Sequence, residues 1–95
     1  MNNPAMPNPI HDPKYTIFRE MLTTARTEQG LLQSHVAERL GKNQSFVSKY
    51  ERGERRLDMP EFIEVADALG INIENFIARY KLRIDSNGAN GQLVP

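Results

Sequence analysis

The chain of 95 residues contains no cysteine, which excludes disulfide bonds and thiolate metal sites and is typical of a protein from a reducing cytosol. No run of about 18 apolar residues is present, so we expect no membrane span. The first residues lack the basic and apolar regions of a signal peptide. Only two histidines occur, with no glycine-rich phosphate loop and no cluster of metal ligands. We therefore predict no enzymatic activity, no metal site and no cofactor.

The net charge is zero, but the charges are distributed unevenly. Between Lys42 and Arg56 the sequence has five basic and two acidic residues. Between Asp58 and Glu74 it has five acidic residues and no basic one. Since the local field governs binding to a polyanion, a neutral total is compatible with one positive and one negative patch on a small domain.

Glycine and proline divide the chain into segments. Four prolines fall within the first 13 residues, which predicts a disordered arm over residues 1–12, and the last residues, rich in Gly and Asn, predict a flexible tail over residues 83–95. A single domain is expected over residues 13–82. Within it, glycines end the apolar-periodic stretches as they end helices. These glycines are Gly30, Gly41, Gly53 and Gly70.

Capping residues mark the beginnings of the same stretches. They are Asp12 before Pro13, Asn43, Asp58 with Glu61, and Asn72. Together these signals predict five helices and no sheet, an all-α fold. The predicted spans are 13–29, 33–40, 44–52, 59–69 and 73–81. The predicted core consists of their apolar stripes: Ile17, Phe18, Met21, Leu22, Ala25, Val36, Ala37, Leu40, Phe46, Val47, Tyr50, Met59, Phe62, Ala66, Leu69, Ile73, Phe76 and Ile77.

The third predicted helix has two chemically distinct faces. Its apolar residues fall on one side, and on the other side lie an amide, two hydroxyls and two cations without a carboxylate. These polar residues are Gln44, Ser45, Ser48, Lys49 and Arg52. Gln, Lys and Ser suit the edges of DNA bases, whereas arginines beyond a helix end suit phosphates. The alternative for the same stripe is an ordinary solvated face. The continuing positive charge of Arg55 and Arg56 favours DNA.

The second and third helices are short and are joined by a turn that contains Gly41, which is typical of a helix-turn-helix unit. The stretch from Gly30 to Ile77 closely resembles the XRE-type domains of bacterial and phage transcription regulators, which are Cro-like and lambda-repressor-like. The resemblance covers roughly residues 15–80. The residues that carry it are Gln33, Ala37, Gly41, Gln44, Ser48, Glu51 and Gly53.

The resemblance implies a role for each matching position. Gln44, Ser45 and Lys49 take the base-contacting positions. Residues at phosphate-contacting positions or beside them are Gln33, Asn43, Ser48, Arg52, Arg55, Arg56 and Lys42. Gln33 is also expected to brace the third helix, and the stem of Lys42 to lie on the core with its ammonium near DNA. Arg26 and Glu51 are expected to form a structural ion pair between the first and third helices.

The resemblance implies a compact lambda-repressor-like five-helix bundle that regulates transcription, as a repressor-like homodimer on a palindromic double-stranded DNA operator. Such a regulator, bacterial or phage-encoded, is expected in the cytoplasm, associated with the nucleoid when it is bound to DNA. A different possibility is an antitoxin-like or co-regulator module that uses the same fold to bind a protein partner. The polar face of the third helix favours DNA, because a module that binds only protein does not need its amide and cations.

Overall fold

A computed structural model of the chain describes residues 12–86, and in that range it contains five α-helices and no strand. The helices are α1 (Pro13–Glu28), α2 (Gln33–Leu40), α3 (Gln44–Arg52), α4 (Met59–Leu69) and α5 (Ile73–Ser86). The all-α prediction is confirmed. None of the helices between Asp12 and Ser86 is long and apolar enough to cross a bilayer. The predicted arm before Asp12 and the predicted tail after Ser86 lie outside the described residues.

Three of the predicted helix starts are capped by side chains. Asp12 accepts hydrogen bonds from the backbone of Lys14 and Tyr15, and Pro13 occupies the first position of α1. Asp58 and Glu61 each accept from the other's backbone N–H, at 2.9 and 3.0 Å, which is a reciprocal capping box. At α5, the Oδ1 atom of Asn72 accepts from the N–H of Asn75 at 2.8 Å.

The other two helices begin without a side-chain cap of this kind. Asn43 occupies the N-cap position of α3, but its side chain makes no capping hydrogen bond, so the prediction that it caps the helix is wrong. Leu32 precedes α2 and cannot accept a hydrogen bond through its side chain. Its own N–H donates instead to Nδ1 of His35 at 2.9 Å. α3 therefore begins without a side-chain cap.

The end of α5 differs from the prediction. We expected the helix to end at residue 81 and a flexible tail to begin at residue 83, but α5 continues to Ser86. Ile84 explains the extension. It is half-buried and packs against the core on the same helical face as Phe76 and Tyr80, so the apolar stripe persists for one more turn.

The core is formed by apolar residues from all five helices. The buried members are Tyr15, Ile17, Met21, Leu22, Val36, Ala37, Val47, Tyr50, Phe62, Val65, Ala66, Leu69 and Phe76. The core prediction is wrong for two residues, because Met59 is 65% exposed and Ile77 is 42% exposed. Tyr15 and Val65 are buried although they were not predicted. Periodicity located the apolar side of each helix but not the width of the buried stripe.

In the packing of the helices, α3 lies against α1 and α2. α2 packs against both α3 and α4, while α1 packs against α3 and α5. Ala37 is buried on α2, as expected for a small side chain at a close helix crossing. Gly41 ends α2 with φ at +68°, so the chain reverses within the short segment before α3. This arrangement of α2 and α3 is a helix-turn-helix.

Candidate nucleic-acid interface

The inner side of α3 is fixed by a buried ion pair. Glu51 accepts from Nε of Arg26 at 2.7 Å and from Nη2 at 3.0 Å, and the two side chains are 6% and 12% exposed. Arg26 also donates from Nη1 to the carbonyl of Leu31 at 2.8 Å. Each of its three guanidinium nitrogens thus donates a hydrogen bond, and the carboxylate beside it raises the pKa of Arg26. The ion pair suggested by the family resemblance is present and connects α1 to α3.

A chain of hydrogen bonds leads from this pair to the surface. Gln33, at the start of α2, donates from Nε2 to Oε1 of Glu51 at 2.8 Å. Its Oε1 accepts from Nε2 of Gln44 at 3.0 Å. Gln33 therefore braces α3, as the resemblance implied, and it orients the amide of Gln44, which is exposed in the first turn of α3.

The outer face of α3 presents three further polar groups to solvent. Ser45 and Lys49 are exposed, and their side chains make no hydrogen bond or ion pair with any residue in the range 12–86. Asn43, just before the helix, is likewise exposed. With Gln44, these side chains offer hydrogen-bond donors and acceptors and a positive charge, all on one surface.

Arg52 ends the helix and is engaged with its own surroundings. It forms a bidentate ion pair with Glu54, with distances of 2.8 and 3.0 Å, and it also contacts the hydroxyl of Ser48. Arg52 and Glu54 are 55% and 45% exposed, so the pair is open to water. Ser48 and Arg52, both predicted to contact phosphates, contact each other in the free protein.

Arg55 lies in the loop after α3 and pairs with Glu61 of α4. The two side chains share hydrogen bonds of 2.8 and 3.0 Å. The Arg55 guanidinium lies 4.8 Å from the ring centroid of Phe46, and the ammonium of Lys42 lies 5.1 Å from the same centroid. Lys42 thus places its ammonium over an aromatic ring at the edge of the core while the residue stays exposed, and its approach to DNA stays a prediction.

Arg56 joins the same loop to the start of α1. It pairs with Asp12 at 2.8 Å, and its guanidinium lies 4.5 Å from the ring centroid of Tyr15. The Tyr15 hydroxyl accepts from the N–H of Leu57 at 3.1 Å and donates to the carbonyl of Arg55. Tyr15 therefore holds the backbone of the loop between α3 and α4, residues 53–58, which contains Arg55 and Arg56. This role is not predictable from the sequence, because partners about 40 positions away leave no local pattern.

The comparisons with known proteins agree with this geometry. A helix-turn-helix family model matches residues 22–76, which is more than half of the chain. The chain belongs to the XRE family of helix-turn-helix proteins. Among solved structures, it is similar to an XRE-family like protein from Pseudomonas syringae pv. tomato str. DC3000, with 36% identity and a TM-score of 0.72 over 78% of this chain and 90% of that one. The search of curated proteins returned no match.

Membership of the XRE family implies a DNA-binding regulator. The family match includes α2, α3 and the loop between α3 and α4, so it contains the polar face of α3 and the loop arginines, while Asp12 and Tyr15 precede it. Gln44, Ser45 and Lys49 share one exposed surface of α3. Arg55 and Arg56 lie behind the C-terminal end of this helix, in the loop that connects it to α4.

Arg19 is a second residue that the sequence analysis missed. It donates from Nη1 to the carbonyl of Glu51 at 2.6 Å, near the C-terminal end of α3, where a cation is favourable. Its Nε atom is buried and has no hydrogen-bond partner within residues 12–86. Gly53 lies directly over this side chain. Arg19 thus supports the C-terminal end of α3 from the side of α1.

The stability of this XRE domain in acid is expected to depend on Glu61. Its hydrogen bonds to Arg55 and to the N–H of Asp58 lower its pKa from 4.5 to about 2. A depressed pKa in the folded state contributes stability above pH 4.5, and that contribution is lost as the pH falls from 4.5 to about 2. Glu61→Gln should therefore flatten the decrease in unfolding free energy over this interval, measured by urea denaturation. Glu64→Gln on the same helix should leave the decrease as in the wild type, and an equal change in both variants would contradict the assignment.

Proposed function

We propose that the protein is a sequence-specific, repressor-like regulator that places α3 in the major groove of double-stranded DNA. The observation that carries the proposal is the outer face of α3. There Ser45 and Lys49 are exposed and uncommitted, and Gln44 is held by Gln33. Side chains of these three types match the donor and acceptor patterns of base edges. A helix fixed on its inner side by the buried pair of Glu51 with Arg26 presents them in one orientation.

The basic loop supplies the second part of the proposal. Arg52, Arg55 and Arg56 are exposed guanidiniums near the end of α3, and such groups bind phosphates without reading sequence. Gln33, Asn43, Ser48 and Lys42 are proposed as further phosphate contacts. In this interpretation α3 determines which site is bound, and the loop contributes most of the affinity and its dependence on salt.

The proposed active form is a homodimer. A single helix-turn-helix contacts few base pairs, and two copies related by a two-fold axis would bind half-sites about 34–36 Å apart. Ile77 and Leu82 are 42% and 68% exposed on α5, and the contact with the second copy is proposed to lie on this helix. The operator is accordingly proposed to be a palindrome.

Selection of bound sequences from random double-stranded DNA tests the proposal. The expected result is a strongly enriched palindrome whose half-sites are about one helical turn apart. An enriched single half-site would support sequence-specific DNA binding but contradict the proposed homodimer. The absence of any enrichment would favour the second candidate, an antitoxin-like or co-regulator module. In that case the surface of α4 is the better binding site, because Met59 and Ile63 are exposed there beside Glu64 and Asp67.

Replacing single side chains separates the two proposed contributions. Lys49→Ala should relax the preference at one base position, with a loss of about 1–3 kcal/mol for the best base. Arg55→Ala should weaken binding to all sequences and lower the salt slope by about one. Both effects are measured with a panel of operator variants over a salt series. If both variants bind every sequence as the wild type does, the assignment of the α3 face is wrong.

A further inference from the structure

Each arginine near the end of α3 is matched with a carboxylate of the same chain. Arg52 pairs with Glu54, Arg55 with Glu61 and Arg56 with Asp12, each with a closest distance of 2.8 Å. These carboxylates occupy the guanidiniums that the proposed function assigns to phosphates. When DNA binds, each arginine must therefore leave its carboxylate for a phosphate or contact both. The three carboxylates differ in their other contacts.

Two of the three carboxylates also hold the fold. Glu61 accepts from the N–H of Asp58 and completes the capping box of α4. Asp12 caps α1 by accepting from the backbone of Lys14 and Tyr15. Their positions are set by helix starts, so the presence of both residues is explained without reference to DNA.

Glu54 has no such role. Its carboxylate accepts hydrogen bonds from Arg52, and no backbone N–H within residues 12–86 donates to it. It follows the end of α3 and is 45% exposed. Besides Arg52, the positive charge of Lys49 lowers the pKa of Glu54, so the carboxylate lies within the field of a base-facing side chain. A negative charge at this place weakens the attraction of the whole interface for a polyanion.

We propose that Glu54 is a built-in competitor for phosphate that sets the overall affinity of the α3 surface for DNA. This inference rests on the proposed function. Arg52 must release or share Glu54 when it binds a phosphate. Each complex with DNA therefore gains less from the release of counterions than it would without Glu54. Binding to arbitrary DNA depends almost entirely on this electrostatic contribution. Glu54 thus keeps non-specific complexes short-lived, while complexes that also contain base contacts persist.

The test compares Glu54→Gln with wild type on the selected operator and on an unrelated duplex, over a series of salt concentrations. Glutamine keeps the size of the side chain and can still accept from Arg52, so only the charge is removed. One more neutralised phosphate steepens the salt slope by about 0.9, which corresponds to about eightfold tighter binding at 0.1 M salt. We expect a gain up to this size, equal on both duplexes. Glu54→Ala, which also removes the acceptor, should show a similar gain.

Glu74→Gln provides the control for net charge. Glu74 is exposed at the start of α5, a helix that packs on α1, and the same change in total charge there should leave both affinities as in wild type. Unchanged or weaker binding by Glu54→Gln, or a gain on one duplex only, would overturn the inference while the proposed function stood. If the wild type bound neither duplex, the proposed function would fail and this inference with it.

Discussion

Replacing Arg26 with alanine is expected to lower the free energy of unfolding by about 3–5 kcal/mol. The change leaves the carboxylate of Glu51, whose side chain is 6% exposed, without its bidentate partner. It also leaves the carbonyl of Leu31 without a donor. An uncompensated charge in this position costs far more than the pair contributes, since the desolvation of Glu51 is no longer offset. The loss is measured by urea denaturation at neutral pH.

Two further variants separate the buried charge from other causes. Arg83→Ala removes an exposed arginine that lies 3.7 Å from Glu20, and it should cost only about 0–1 kcal/mol. The double replacement Arg26→Met with Glu51→Met removes both charges and should recover much of the stability that Arg26→Ala loses. A double variant less stable than Arg26→Ala would contradict the explanation and assign the loss to packing.

Arg26→Ala should also affect DNA binding, through the hydrogen bonds that connect Glu51 to Gln33 and Gln33 to Gln44. Glu51 holds Gln33, and Gln33 holds the amide of Gln44. Loss of Arg26 leaves Glu51 free to move. The orientation of the Gln44 side chain is therefore expected to change even at temperatures where the domain remains folded. The effect should be largest at the base position that Gln44 is proposed to contact. A stability defect alone would reduce binding to all sequences equally.

Much of this fold could be predicted because its signals are local. Helix starts at Asp12 and Asp58 and the ends at Gly41, Gly53 and Gly70 depend on residues a few positions apart, and the structure has the helices at these places. The exposed face of α3 follows from the same helical period. By contrast, the extension of α5 to Ser86 was not predicted. Ile84 falls on the same face as Phe76 and Tyr80 only if the helix continues past residue 81, so the pattern cannot itself show that it does.

The pairing of the loop arginines could not be predicted, for a different reason. Asp12 and Arg56 are 44 positions apart and meet only through tertiary structure. Glu54 and Glu61 are close to their arginines in sequence, but proximity along a loop does not determine which charges meet. By charge count alone, all the positive charges between Lys42 and Arg56 are available to DNA. In the folded domain three of them are already matched with carboxylates, so the surface is less positive than the local charge count suggests.

Replacing Gly53 with alanine is expected to lower the free energy of unfolding by about 2.5–5 kcal/mol. Gly53 ends α3 with φ at +80°, a conformation that costs an L-residue about 1–2 kcal/mol. A Cβ atom here would lie 2.8 Å from Nε of Arg19, so Arg19 must move. Movement would break its hydrogen bond to the carbonyl of Glu51, and a bond from a charged donor contributes about 1.5–3 kcal/mol.

Gly70→Ala separates these two contributions, because Gly70 ends α4 with φ at +68° and an added Cβ there meets nothing within 4 Å. It should show the backbone cost alone, so the excess destabilisation of Gly53→Ala measures the displacement of Arg19. In an Arg19→Ala background the obstacle is absent, and the two glycine replacements should then cost the same. Equal costs in the wild-type background would show that Arg19 does not restrain α3. An excess that persists without Arg19 would place the conflict in the loop backbone instead.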